Sequence, residues 1–135
     1  MFFGMKKLLL IFTLLFSTLM FSTPSYGEWT KVGKSPNGNT FYVDFERIRK
    51  HGGYVYFWEL GDFLKLESGY LSYKMYHQGD CKLFRFKYLS DSYYKEPMGG
   101  GTPSASSNVV DKNWTYPPPN SSDETILKSV CKYAK

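Results

Sequence analysis

The two cysteines constrain this chain more than any other feature. Cys81 and Cys131 are its only two, and Cys81 sits in the stretch YHQGDCKLFRF, close to a histidine and an aspartate. Three uses are open to it: nucleophile, metal ligand or half of a disulfide. The start of the chain bears on the choice. Lys6 and Lys7 precede an uncharged, mostly apolar run of 14 residues, Leu8 to Phe21. Ser25 and Gly27 then occupy the −3 and −1 positions before Glu28. This is the layout of a secretory signal peptide, and the run is shorter than the ~20 apolar residues a membrane-spanning helix needs. The expected organisation is a signal peptide over 1–27 and one mature domain over 28–135. No stable membrane span is expected after cleavage. No cysteine lies near the cleavage region, so no lipid anchor is expected there.

Export places both cysteines in an oxidising compartment, where thiols pair, and two cysteines allow one intramolecular bridge. That bridge would close a loop of about 50 residues, worth roughly 4 kcal/mol by chain entropy. The rivals are less well supplied. A nucleophilic cysteine needs a base and an orienting group, and His77 alone, four residues away, does not make a recognisable set. A metal site built on His77, Asp80 and Cys81 would need further ligands, and His51 is the only other histidine. Cys81 and Cys131 are therefore read as a disulfide, with no metal, cofactor or catalytic residue assigned.

Removing Lys6 and Lys7 from the 17 basic residues leaves 15 against 12 acidic ones, a mature charge of +3. The charges are scattered. The densest basic run, RIRK at 47–50, reads as a solvated edge, and no nucleic-acid motif is present. The mature chain is rich in tyrosine, phenylalanine and tryptophan, which suit strands. Turn signals recur at SPNGN (35–39), HGG (51–53), ESG (67–69) and HQGD (77–80). Strands are expected near 28–33, 40–45, 54–66, 70–77 and 81–90, joined as antiparallel hairpins. In the third, Tyr54, Tyr56, Trp58 and Leu60 share one face and Val55 and Phe57 the other. Both faces are apolar, so this strand is expected to be central and covered on both sides. In the last, Cys81, Leu83 and Arg85 would share one face and Phe84, Phe86 and Tyr88 the other.

The C-terminal NSSDETILKSVCKYAK supplies a cover. Ser121 and Glu124 have capping-box spacing, Asp123 and Glu124 suit the positive end of a helix, and Ile126, Leu127, Val130, Cys131 and Ala134 form one apolar stripe. If that stripe packs on the sheet, Cys131 is aimed at it and can meet Cys81. The expected fold is α+β: an antiparallel sheet of about five or six strands with a C-terminal helix packed on one face and tethered by the disulfide. The segment between them, rich in Gly, Ser and Pro, reads as an irregular and mobile connection. Its Gly99–Gly101 run lacks the Lys-Ser/Thr of a phosphate loop. Trp114, isolated in this polar stretch, reads first as an anchor tucked under the loop; the alternative is an exposed contact residue. Tyr93, Tyr94, Trp114 and Tyr116 are the candidate partner contacts.

Glu59 and Asp62 are the nearest approach in this chain to the carboxylate pair of a glycosidase. Three residues apart on a strand, they face opposite sides unless Gly61 forms a bulge. The simpler reading leaves one solvated and the other ending the strand. His51, in a turn, and His77, at a strand end, read as surface or rim residues, with His77 and Asp80 flanking a turn.

The order of features resembles the surface-adhesin protein E family of small exported bacterial proteins. The resemblance rests on Trp29 and Val32, then FYVDFERIRKHGGYVYFWEL with Tyr42, Asp44, Ile48, Val55 and Trp58. It continues through Asp80-Cys81, Arg85, Trp114, Pro117 and Val130-Cys131. It implies an antiparallel sheet with a C-terminal helix held against its concave face by a disulfide. The activity it implies is adhesion to host matrix and serum proteins, with no particular binding residue carried over. The expected function is a non-enzymatic exported binding module, periplasmic, secreted or at the cell surface, contacting an extracellular or envelope protein. A homodimer is a further option, and nucleic acid is not an expected partner. The alternative is a periplasmic accessory protein, an inhibitor or assembly partner.

Overall fold

In the computed structural model, residues 28–135 are described; the leader expected over 1–27 lies outside them. Seven strands follow in chain order: β1 (Thr30–Lys34), β2 (Thr40–Val43), β3 (Arg49–His51), β4 (Tyr54–Glu67), β5 (Tyr70–Asp80), β6 (Arg85–Tyr94) and β7 (Ala105–Ser107). A single helix, α1 (Ser122–Tyr133), closes the described chain. The strands form one antiparallel sheet in the order β1-β2-β4-β5-β6-β7. β2 and β3 share the same edge of β4, β3 pairing with its start and β2 with its middle. The architecture is the expected one, with two short strands more than the five that hydrophobic runs mark out.

β4 is central because its alternation serves two faces. Val55, Phe57 and Glu59 point to the helix side, where Phe41 and Val43 of β2 and Phe86 of β6 join them. Ile126, Leu127 and Val130 of α1 are all buried against this layer, as their stripe predicts. Burying each such side chain contributes about 1.5–3 kcal/mol. The side chain of Ser121 accepts a hydrogen bond from the N–H of Glu124 at 3.1 Å. The carboxylate of Glu124 accepts in turn from Asn120 N–H at 3.3 Å, one residue before the cap, so the box closes on the preceding residue. Cys131 bonds to Cys81 with their Cα atoms 5.5 Å apart, tying the last turns of α1 to the end of β5.

The opposite face is covered only in part. Leu60 is fully buried beneath a 3-10 turn at Pro97–Gly99. That turn is held by the N–H of Met98 donating to Asp62 Oδ1 at 2.7 Å and the N–H of Gly99 donating to Ser72 Oγ at 2.8 Å. Tyr54, Tyr56 and Trp58 remain half-buried, so full cover on both sides of β4 is not what forms.

Three other expectations change. HQGD is not a turn: β5 runs through it to Asp80, and the turn is Cys81–Phe84. Cys81 therefore opens the turn rather than a strand, and the shared faces expected across 81–88 begin only at Arg85. The irregular connection is shorter than expected, since β6 continues to Tyr94 and β7 pairs with it.

Candidate functional site

The segment 111–116 lies along the outer edge of β6. The N–H of Asp111 donates to the carbonyl of Tyr88, and Tyr88 N–H donates back to the Asp111 carboxylate. Thr115 and Phe86 exchange both backbone hydrogen bonds, at 2.8 and 2.9 Å. These bonds satisfy an edge that would otherwise invite pairing with another chain. They also present Trp114 on the face opposite α1, over residues that strand alternation places there.

Trp114 lies against Tyr54, with ring centroids 5.4 Å apart. The guanidinium of Arg85 stands 4.3 Å from the Trp114 ring centroid and the ammonium of Lys87 4.8 Å from it, within cation–π range. Arg85 does not swing freely. Its Nε donates to Asp80 Oδ2 at 2.9 Å, and Asp80 also accepts from the N–H groups of Lys82 and Leu83. Burial alone would raise the Asp80 carboxyl. The Leu83 N–H, the bond and charge of Arg85 and the Lys82 N–H outweigh it and hold Asp80 below the usual carboxylate range. The same aspartate thus shapes the β5–β6 turn and fixes the cation under Trp114. Tyr116, 60% exposed, brings its hydroxyl within 3.5 Å of Arg85. On the same face Tyr76 packs against Trp58 at 4.7 Å and Tyr56 at 6.3 Å. The result is an aromatic surface edged by two cations.

Of the four residues expected to contact a partner, the structure brings together Trp114 and Tyr116. Tyr93 lies on the helix side of the sheet, beside Tyr70 and Tyr73. Tyr94 is buried, 6% exposed, with the Lys74 ammonium 5.0 Å over its ring. Its role is packing, which corrects its place among the surface candidates. Trp114 is neither buried under a loop nor isolated.

A second polar group escapes the reading of the sequence. Glu59 and His77, expected as a solvated or strand-ending carboxylate and a rim histidine, are 2% and 1% exposed. His77 Nε2 lies 2.5 Å from Glu59 Oε1, and the hydroxyl of Tyr73 donates to Glu59 Oε2 at 2.9 Å. Asp62 is on the other face, so the carboxylates do not form a pair. β4 and β5 run in register from Val55 to Asp62, with no bulge at Gly61. His51 is exposed, as expected. Among the described residues, no cluster of three or more His, Cys, Asp or Glu is placed to hold a metal ion, and no helix is long and apolar enough to cross a membrane.

The sequence profile of the family described as surface-adhesin protein E matches residues 29–132. The chain belongs to the surface-adhesin protein E family. Solved structures agree on the fold. The chain is similar to Haemophilus influenzae protein E in crystal form II, with a TM-score of 0.61 and 18% identity over 84% of this chain and 94% of that one. A second structure of Haemophilus influenzae protein E gives a TM-score of 0.59 at 18% identity, over 82% of this chain and 88% of the other. Protein E from non-typeable Haemophilus influenzae gives 0.51 at 16% identity, over 82% and 76%. No curated protein matches the chain by sequence. The family framework named from sequence falls at the structural joints of this adhesin E-like domain: Trp58 on the open face, Asp80 and Arg85 at the turn, Cys81 and Cys131 in the bridge.

Proposed function

We propose that this chain is an exported, non-enzymatic module that binds another protein through the aromatic–cationic surface around Trp114. The observation that carries the reading is the placement of Arg85 and Lys87 over the Trp114 ring, with Tyr54 behind it and Tyr116 exposed beside it. Trp, Tyr and Arg are the residues that dominate binding energy at protein interfaces. Rigid aromatics lose little entropy on docking, and Arg85 is already held in place by Asp80, so little ordering remains. Two cations on this surface favour a partner that presents carboxylates. Membership of a surface-adhesin family is consistent with such a partner being a matrix or serum protein.

The test is retention of the mature chain on immobilised matrix and serum proteins, wild type against Trp114→Ala and Lys87→Glu. Both side chains are half-buried on the open face and lie outside the hydrophobic core, so both variants should fold. Retention of the wild type, weakened about tenfold or more by Trp114→Ala and sensitive to salt through Lys87, is expected. No retention, or retention indifferent to both changes, would remove the proposal. Protease added to intact cells should also cleave the chain if it acts at the surface.

A further inference from the structure

The helix covers only part of its side of the sheet. Past the first turn of α1 an open cavity of about 500 Å³ remains. Its walls include the rings of Phe63, Tyr73, Tyr88 and Tyr93, and Glu59 of β4 and Asp123 of α1 enter it together. Glu67 stands at the end of β4 on the same wall, and no lysine or arginine is among the lining residues. The lining is acidic although residues 28–135 carry a net charge of +3. Glu59 is almost wholly buried, but it keeps unused acceptor capacity: each carboxylate oxygen has two lone pairs, and one contact is made to each.

The surrounding groups register the negative field. Burial and then the charge of Glu59 push the Asp123 carboxyl above its ordinary value, with His77 opposing. Burial first, then the nearby carboxylates, pushes the phenols of Tyr73 and Tyr88 up as well. Two acidic groups facing aromatic walls with no lysine or arginine between them are complementary to one chemistry. An ammonium can donate up to three hydrogen bonds to carboxylates while its charge and alkyl stem lie against electron-rich ring faces.

We infer that this cavity binds an alkylammonium group, its head between Glu59 and Asp123 and its stem along Tyr73, Tyr88 and Tyr93. The site is on the opposite side of the sheet from Trp114 and does not depend on the protein-binding surface proposed there. The ammonium could belong to a free aliphatic amine or to a lysyl side chain. The probes separate the two: 1,4-diaminobutane for the free amine, N-acetyl-lysine amide for the side chain, and n-butanol as the neutral control.

The experiment is a chemical-shift titration of the disulfide-bonded mature chain with each probe. Saturable shifts confined to residues around Glu59, Tyr93 and Asp123 are expected with at least one amine and not with n-butanol, and the tighter amine identifies the source. Asp123→Asn should weaken amine binding about tenfold, the loss of one charge-assisted contact, while Trp114→Ala leaves it unchanged. Asp123 sits in the first helical turn and makes no side-chain bond that the fold needs, so this variant is expected to fold, whereas a change at buried Glu59 strands His77. Tyr93→Leu offers a second reading through the aromatic wall. Absence of saturable binding by both amines, equal binding of n-butanol, or binding indifferent to both Asp123→Asn and Tyr93→Leu overturns the inference.

Discussion

Glu59 and His77 meet across β4 and β5, Oε1 to Nε2 at 2.5 Å, with both side chains almost wholly buried. His77 also packs against Phe57, Phe86 and Tyr88, with centroids 5.0, 5.5 and 4.8 Å away. Removing one member leaves the other buried without its partner. His77→Ala should therefore cost about 3–5 kcal/mol in urea unfolding. Replacing both together, Glu59→Leu with His77→Phe, should cost clearly less than His77→Ala, because a buried carboxylate is no longer stranded and only the Tyr73 hydroxyl loses its acceptor. A double variant as unstable as the single one would show that the pair matters for its shape rather than its polarity.

The bridge between Cys81 and Cys131 spans 50 residues and clamps α1 over the sheet. Cys81→Ser with Cys131→Ser, or reduction by a dithiol, should lower stability by roughly 4 kcal/mol. The fold should persist at low temperature, since Ile126, Leu127 and Val130 still bury the helix face. Urea midpoints with and without reductant measure this, and an unchanged midpoint would mean the bridge constrains nothing.

Gly61 stands where a side chain would strike the ring of Tyr73. A Cβ there would fall 2.1 Å from Tyr73 Cε1 and 2.7 Å from its hydroxyl oxygen. Gly61→Ala must push the ring aside and break its bond to Glu59. A loss of about 1–3 kcal/mol is expected. In a Tyr73→Ala background the same change should become neutral or mildly stabilising, as the usual cost of glycine in a strand is then removed. The double-mutant cycle reads the coupling directly; additive effects would place the obstruction elsewhere.

These residues show where sequence reading succeeds and where it stops. The helix is legible because its signals are local: a cap at Ser121, a stripe through Val130, acids first and lysines later. The central strands are legible for the same reason. His77 is not, and two non-local facts account for it. Gly79 looks like turn material, but it lies inside β5, where a Cβ would come within 2.9 Å of its β4 partner Val55 and 3.2 Å of Leu127, the second a contact that exists only once α1 has packed. Between Asp62 and Glu67 β4 advances five residues while β5, from Ser72 to Tyr70, advances two. Counting back unbroken from Glu67 opposite Tyr70 would set Glu59 against Gln78 and turn His77 to the other face. The patch divides likewise: Trp114 stands out in the sequence, but its cations come from β6 by tertiary placement. Ala105–Ser107 pairs through its backbone and carries no side-chain pattern to announce a strand.

Two aspartates should pull the stability of this domain in opposite directions as pH falls. Asp123 is held above its ordinary value by burial and by Glu59. Its protonated form favours the fold, a contribution fully present below the unfolded value near 4 and lost as pH rises through the raised folded one. Acidification from neutrality should first stabilise through this group. Asp80 is held below its ordinary value, the Leu83 N–H, Arg85 and the Lys82 N–H outweighing burial. Its contribution is present above about pH 4 and lost as pH falls through the lower folded value. Urea midpoints between pH 7 and 3 should therefore carry a rise from Asp123 followed by a fall to which Asp80 contributes. Asp123→Asn should remove the rise and leave the fall. Asp80→Asn should lower stability at neutral pH and make the acid limb shallower, with the rise intact. An acid limb of unchanged slope in Asp80→Asn would mean that the turn holding Arg85 under Trp114 does not depend on that carboxylate's charge.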